Sequence, residues 1–329
     1  MSKVLVTGAS GFIGSGLTGF LTRSGYSVCA AVRDNSALSL LPGDDMKHVA
    51  VGSICASTDW SQALDGVDAI VHLAGRAHVL QETHADALSL FRTVNRDGTL
   101  HLARMAAEAG VRRFVFVSSI GVNGNQTLAV PFSEKDTPNP RDFYAISKFE
   151  AELGLREIAA RTSMEVVILR PPLVYGPGAP GNFRRLIDIV QKGLPLPFGR
   201  INNRRSLLYL DNFTDAIRLC IEHPKAAGHT FLVSDGEDVS TPELIRRIAH
   251  ALHRPARLLA VPVSLLRLAG RVTGKSAAVS RLTGSLQVDG DAIRQRLGWI
   301  APYSMQDGLA ATVAEFVQDR ASARTTVKS

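Results

Sequence analysis

The stretch that most constrains this chain is its opening, MSKVLVTGASGFIG. Val4, Leu5 and Val6 form a short apolar run ending at Thr7, and glycines follow at 8, 11 and 14. From Phe12 the apolar spacing changes period. Ile13, Leu17, Phe20 and Leu21 share one helical face, and Gly25 supplies a stop. The order is strand, glycine turn, helix. Glycines at such a turn let the backbone approach a pyrophosphate closely, and the helix N-terminus offers unpaired N–H groups and a dipole that favours an anion. Gly8, Gly11, Phe12, Ile13 and Gly14 are therefore candidate dinucleotide contacts.

The same alternation runs on. Strands are expected at Tyr26 to Val32, His48 to Val51, Val67 to Ala74, Arg113 to Ser118 and Glu165 to Arg170, with helices near 91–109 and 145–161. Alternating strands and helices imply a parallel, doubly wound sheet, whose carboxyl strand ends would gather Gly8, Ala74, Ser119 and Arg170. The second strand ends in Arg33-Asp34. An arginine there accommodates a 2′-phosphate and an acidic residue a free ribose, so Arg33 favours NADP and Asp34 keeps NAD open.

At Pro171 the texture changes to PPLVYGPGAPGN, too rich in proline and glycine for a regular helix or central strand. Three segments are expected: a dinucleotide domain over 1–170 with a returning strand near 229–235, a smaller, partly helical lobe over 171–320, and a disordered polar tail over 321–329. Within the lobe a helix is expected from about Phe183 to Lys192, a basic turn at Arg204-Arg205, and a helix from Asp211. Another helix spans Glu243 to Leu252, with Thr241 as its cap and Pro242 in its first position.

Composition narrows the partners. The three cysteines lack metal-ligand spacing, and His72, His78 and His84 have no His or Cys partner at helical spacing, so no metal is expected. Net charge is +7 and the pI near 9.6. The cations are dispersed, which suits an anionic small ligand better than nucleic acid. No apolar run reaches the length of a transmembrane segment, and the N-terminus does not read as a signal peptide, so a cytoplasmic protein is expected.

The chemistry centres on Tyr144 and Lys148, which share one helix face. A phenol is a poor base at neutral pH, but an adjacent ammonium favours phenolate. Ser119, at a strand end, could hold the same substrate oxygen. Together they describe a proton-handling site for a hydroxyl or ketone beside a nicotinamide.

These residues resemble the extended short-chain dehydrogenase/reductases that act on nucleotide-linked sugars, the NAD-dependent epimerase/dehydratase type. The resemblance covers nearly the whole chain: Thr7-Gly8-x-x-Gly11-x-x-Gly14, His72-Leu73-Ala74-Gly75, Val94-Asn95-x-x-Gly98-Thr99, Ser118-Ser119, Tyr144-x-x-x-Lys148, Arg170-Pro171-x-x-Val174-Tyr175-Gly176-Pro177 and Leu297-Gly298-Trp299. It implies a Rossmann-type α/β fold with a C-terminal substrate lobe. Tyr144 becomes the acid/base, Lys148 its ribose-binding partner and Ser119 the orienter of the sugar oxygen. Leu73, Ala74, Gly75, Asn95 and Pro171 join the cofactor side. Asn182 and Arg205 are implied for the nucleotide diphosphate of a UDP-sugar, and Pro197 for the loop beside the uracil; Arg281, in the basic stretch further on, is a secondary candidate for the diphosphate. A homodimer through helices near 91–109 and 145–161 also follows from the likeness.

Two departures refine this. Where sugar dehydratases of the family carry an Asp-Glu pair, this chain has Ile120-Gly121, which disfavours water elimination. Leu173 stands where hexose 4-epimerases carry asparagine. The nearest likeness is to O-antigen pathway enzymes, and C4 ketone reduction on a UDP-linked amino sugar is expected ahead of 4-epimerisation. A non-enzymatic dinucleotide sensor is the alternative of another class, disfavoured by the intact Tyr-Lys pair. Arg267, Arg271 and Lys275, at helical spacing, read first as a solvated face and second as a phosphate or membrane-surface contact.

Overall fold

The structure, a computed structural model, describes residues 2–34, 46–77 and 86–326. In chain order the sheet domain begins with β1 (Lys3–Thr7), α1 (Phe12–Arg23), β2 (Ser27–Val32), β3 (Lys47–Ala50), α2 (Ser61–Leu64) and β4 (Ala69–His72). It continues through α3 (Ala87–Arg92), α4 (Thr99–Glu108), β5 (Arg113–Val117), α5 (Phe143–Arg161) and β6 (Glu165–Arg170). Next come β7 (Leu173–Tyr175), α6 (Asn182–Gln191), β8 (Arg205–Tyr209), α7 (Leu210–Glu222), β9 (Thr230–Leu232), β10 (Asp238–Val239) and α8 (Thr241–Ala251). The chain closes with α9 (Val263–Val272), α10 (Ser276–Thr283), α11 (Asp291–Leu297) and α12 (Met305–Thr326).

Seven strands form one parallel sheet in the order β3-β2-β1-β4-β5-β6-β9. Period-two alternation sends their side chains to two cores. Val4, Val6, Val115, Val117, Val167 and Leu169 face α1, α7 and α11, meeting Leu17, Phe213 and Ile293. Leu5, Phe114, Phe116, Val166 and Ile168 face α2, α4 and α5, meeting Ala63, Leu102 and Leu155. Each fully buried Val, Leu or Phe contributes roughly 1.5–3 kcal/mol of transfer free energy. A third core joins β7 and β8 to α6, α8 and α12 through Tyr175, Phe183, Leu207, Ile248 and Phe316.

Several expectations change. A returning strand is found where it is expected, as β9 beside β6, but α7 and α11 of the expected lobe also pack on the large sheet. The expected basic turn at Arg204-Arg205 is instead the start of β8, which pairs with both β7 and β10 because Leu207 and Leu208 are buried there. The cap of α8 is Ser240, whose hydroxyl accepts from Glu243 N. Thr241 is instead the first residue of the helix, its hydroxyl donating to Leu282 O and accepting from Asn203 Nδ2. The helix expected over 91–109 is interrupted by a π turn at Thr93–Gly98. Finally, α12 runs to Thr326, so 321–326 of the expected disordered tail 321–329 are helical, while 327–329 lie outside the described residues. Phe316 anchors that helix, and Arg320 reaches back to Asp188 at 2.7 Å.

Candidate active site

The glycine turn is shaped by close approaches that leave no room for side chains. Gly8 has φ +67°, and a Cβ there would lie 2.8 Å from Ala74 N. A Cβ on Gly14 would lie 2.1 Å from Gly8 O, so the first turn of α1 can sit on the loop only with glycine at 14. Gly11 is the N-cap and provides no side-chain cap, while Gly11 N donates to Gly8 O at 3.0 Å. No acidic residue lies in the first turn of α1. The N–H groups of that turn, at Phe12 and Ile13, are therefore available to an anion.

Behind the turn a buried polar chain ties the strand ends together. Ala74 N donates to Thr7 Oγ1 at 3.2 Å, and Thr7 Oγ1 lies 2.7 Å from His72 Nδ1. His72 Nε2 lies 2.9 Å from Thr99 Oγ1, which donates to Asn95 O at 2.8 Å. Read in sequence, these bonds assign the tautomer: Thr7 donates to Nδ1, and Nε2–H donates to Thr99. Complete burial pushes the His72 pKa down to about 3, so the ring is neutral and structural. His78 and His84 lie outside the described residues.

Asn95, at the π turn, carries the chain of hydrogen bonds to α5. Its Oδ1 accepts from Arg76 N at 2.7 Å, and its Nδ2 donates to Arg76 O and to Ser147 Oγ at 3.1 and 2.9 Å. Asn95 thus fixes the loop after β4 against α5. A Cβ on Gly75 would meet Asn95 Oδ1 at 3.1 Å and Lys148 Nζ at 3.3 Å. Glycine at 75 therefore keeps open the ground above both groups.

Tyr144 is the second residue of α5, capped by Asp142, whose carboxylate accepts from Ala145 N at 2.8 Å. Lys148 follows one turn later, buried, with Nζ donating to Val117 O at 3.0 Å and lying 4.6 Å from the centroid of Phe116. It stands 6.0 Å from the Tyr144 ring centroid. The expected lowering of the phenol is not found in this state. Burial, with Asp142 adding to it, pushes Tyr144 up to about 12, and burial pushes Lys148 down to about 8 against the opposing pull of Glu152. For both groups desolvation is the largest cause, and at neutral pH the tyrosine is a protonated phenol.

The two serines divide the work. Ser118 Oγ donates inward to Glu152 Oε1 at 2.5 Å, whereas Ser119 lies at the part-exposed strand end with Oγ accepting from Gly121 N at 3.1 Å. Glu152 also binds the buried Arg170 through Nε at 2.9 Å, and Arg170 Nη1 donates to Asn123 Oδ1 at 2.9 Å. Arg170 is therefore part of the support under the site. Pro171 O accepts from Ile120 N at 3.0 Å, fixing the backbone beside Ser119. Glu152 escaped the sequence reading, although it lies four residues after Lys148, on the face that already carried Tyr144 and Lys148.

The other candidates are less concentrated. Leu73 N donates to Thr7 O at 3.3 Å, and the exposed Arg33 follows the end of β2. In the lobe, Arg205 Nη1 donates to Arg281 O and Gly284 O at 2.8 and 3.3 Å, and burial lowers the Arg205 pKa. That brings Arg205 to the backbone of 281, while the Arg281 side chain is exposed on α10. Pro197 is half-buried in a loop held by Leu196 N donating to Arg257 O at 2.8 Å. Asn182 opens α6 on the surface, away from this pairing in sequence and exposed.

The cradle at Gly8, Gly14 and Gly75 fits a dinucleotide, because each is a place where a Cβ would fill space or collide. Among the described residues no group of three His, Cys, Asp or Glu could hold a metal, and no helix is long and apolar enough to cross a membrane.

Comparison with known proteins agrees with this architecture. Over 319 residues the chain is 47% identical to a UDP-glucose 4-epimerase of Vibrio cholerae, with 96% of each chain covered. The solved structure of MoeE5 in complex with UDP-glucose and NAD has a TM-score of 0.77 at 26% identity, over 97% of this chain and 99% of that one. The UDP-glucose 4-epimerase of Thermotoga maritima, solved with UDP-glucose, shares the fold at a TM-score of 0.77 and 22% identity, over 97% and 99%. Residues 4–234 match the family described as NAD dependent epimerase/dehydratase, and the chain belongs to that family of nucleotide-sugar enzymes.

Proposed function

We propose that this protein is a UDP-sugar 4-epimerase that retains NAD. The observation that carries the reading is the strand-end cluster itself: one candidate proton-transferring group, Tyr144, with Lys148 one helical turn on, Ser119 at the end of β5, and Ile120 and Gly121 where an acid pair would be needed for water elimination. Such a site suits interconversion of a C4 hydroxyl and ketone. The full-length likeness to a UDP-glucose 4-epimerase then favours inversion over net C4 reduction, the outcome expected from the sequence alone.

Bound on the glycine cradle, NAD supplies the two-electron acceptor and donor. The chain manages the proton. Tyr144 Oη takes the C4 hydroxyl proton on oxidation and returns it to the ketone oxygen after the sugar has presented its other face. Ser119 orients that oxygen by donating its own hydroxyl proton. To take the proton the phenol must first lose its own, and the Lys148 ammonium one turn on is the charge that would favour the phenolate; the protonated phenol suits the return step.

Incubation with UDP-glucose and NAD, following the sugar by chromatography and reduced cofactor by absorbance, tests this. Inversion at C4 without net cofactor reduction is expected. Stoichiometric oxidation of NADH by a UDP-4-ketosugar, without inversion of UDP-glucose, would assign a 4-keto-reductase instead. For the cofactor, NAD is supported by the family and by MoeE5's complex. Arg33→Ala should leave NADH affinity unchanged; weakened NADPH binding with unchanged NADH binding would return Arg33 to 2′-phosphate recognition. A homodimer through α4 and α5 belongs to the same reading, with Leu153 exposed on α5.

A further inference from the structure

Between Glu243 and Asp289 the sequence contains no acidic residue, while Arg254, Arg257, Arg267, Arg271, Lys275 and Arg281 lie in that interval. The centre of this segment is the α9–α10 hairpin. Its two helices pack on each other, with Gly270 admitting Val279 so closely that a Cβ at 270 would come within 2.7 Å of it. Away from that contact the hairpin is open. Leu265, Leu268 and Val272, at i, i+3 and i+7 of α9, are 54%, 56% and 79% exposed. At 100° per residue they form one stripe, and Arg267 and Arg271 form the stripe beside it. Beside the helices lies a cavity of about 350 Å³ lined by Arg267, Arg271, Ser276, Ser280 and Gln126, whose Nε2 donates to Ser280 Oγ at 2.7 Å.

We propose that the α9–α10 hairpin docks on an anionic lipid bilayer, its leucine-valine stripe entering the acyl boundary and its arginine-lined cavity taking a lipid phosphate. An apolar stripe bordered by cations on a helix too short to span is the arrangement that lies in a membrane interface. Charge selects the occupant. A second copy of this chain would bring the same carboxylate-free, cationic segment against itself, whereas an anionic leaflet attracts it at about 1 kcal/mol per basic residue. The root of the hairpin is tied to the lobe, because Asn203 Nδ2 donates to Leu282 O and Gly284 O at 3.2 and 3.0 Å. Docking would therefore orient the whole enzyme and not a loose appendage. This inference is independent of the C4 chemistry proposed above.

The test is sedimentation of the full chain with vesicles of phosphatidylcholine alone or mixed with phosphatidylglycerol, and with free glycerol phosphate as a soluble competitor. Selective binding to the mixed vesicles is expected, weakened by high salt and not displaced by glycerol phosphate. Arg267→Gln with Arg271→Gln should lower partition roughly five-fold per arginine. Combined Leu265→Ser, Leu268→Ser and Val272→Ser should abolish it without changing the thermal melt, since all three side chains face solvent. Equal binding to neutral vesicles, absence of binding, or partition unmoved by either set of substitutions would overturn the proposal. So would self-association that the serine variant removes while vesicle binding is absent.

Discussion

At the carboxyl ends of the parallel strands His72, Asn95 and Lys148 are enclosed and hydrogen-bonded, whereas along α9 and α10 the one buried residue is Gly270. The first region fixes groups to within a hydrogen bond of one place, which proton transfer requires. The second presents unpartnered apolar and cationic side chains, which suits a partner that is soft and extended. Changes at the strand ends should therefore be costly and specific, and changes of the exposed Leu265, Leu268 and Val272 should spare folding and turnover.

The largest effect is expected at Tyr144. On the proposed mechanism Tyr144→Phe removes the proton that Oη moves, and turnover should fall by about 10²–10⁴-fold while NAD binding persists. Steady-state kinetics beside a cofactor titration checks this, and retained turnover would detach Tyr144 from the chemistry. Next is Glu152→Gln, which leaves the buried Arg170 without its counter-charge. A destabilisation of about 3–5 kcal/mol is expected in denaturant unfolding. Gly14→Ala should abolish cofactor retention, because its Cβ would stand 2.1 Å from Gly8 O and displace α1 from the loop. The protein should purify without nucleotide.

The smallest effect is a dependence on pH. His72 has a folded pKa near 3 against 6.5 when free, so between those values the unfolded chain binds more protons and stability rises with pH. The contribution is complete above 6.5 and is lost as the pH falls towards 3. Between pH 6.5 and 5 it amounts to about 2 kcal/mol. Chemical denaturation across that range should show the slope in the wild type and a shallower one in His72→Gln.

How much of this was legible in the sequence also differs between regions. The glycine turn, the buried strands and the Tyr144–Lys148 spacing are local patterns, and the structure places them at adjacent strand ends. The chain from Thr7 through His72 and Thr99 to Asn95 joins residues as much as 65 positions apart, and nothing in their local sequence signals it. Glu152 had a signal, its four-residue spacing from Lys148. The strand at Arg205 was hidden because five residues with an arginine at the head read equally well as a turn. Arg205 and Arg281 came together through a backbone carbonyl, which residue identity does not specify. The exposure of Leu265 and Leu268 was hidden as well: an amphipathic pattern shows that a helix has an apolar face, and only packing shows whether that face is covered.

The most direct test of the strand-end account follows the hydrogen on C4. UDP-glucose labelled with deuterium at C4 should yield UDP-galactose that keeps the label at C4 at equilibrium, with no deuterium lost to water and no net change in cofactor. Loss of label to solvent, or transfer of it to free reduced cofactor without inversion, would contradict it.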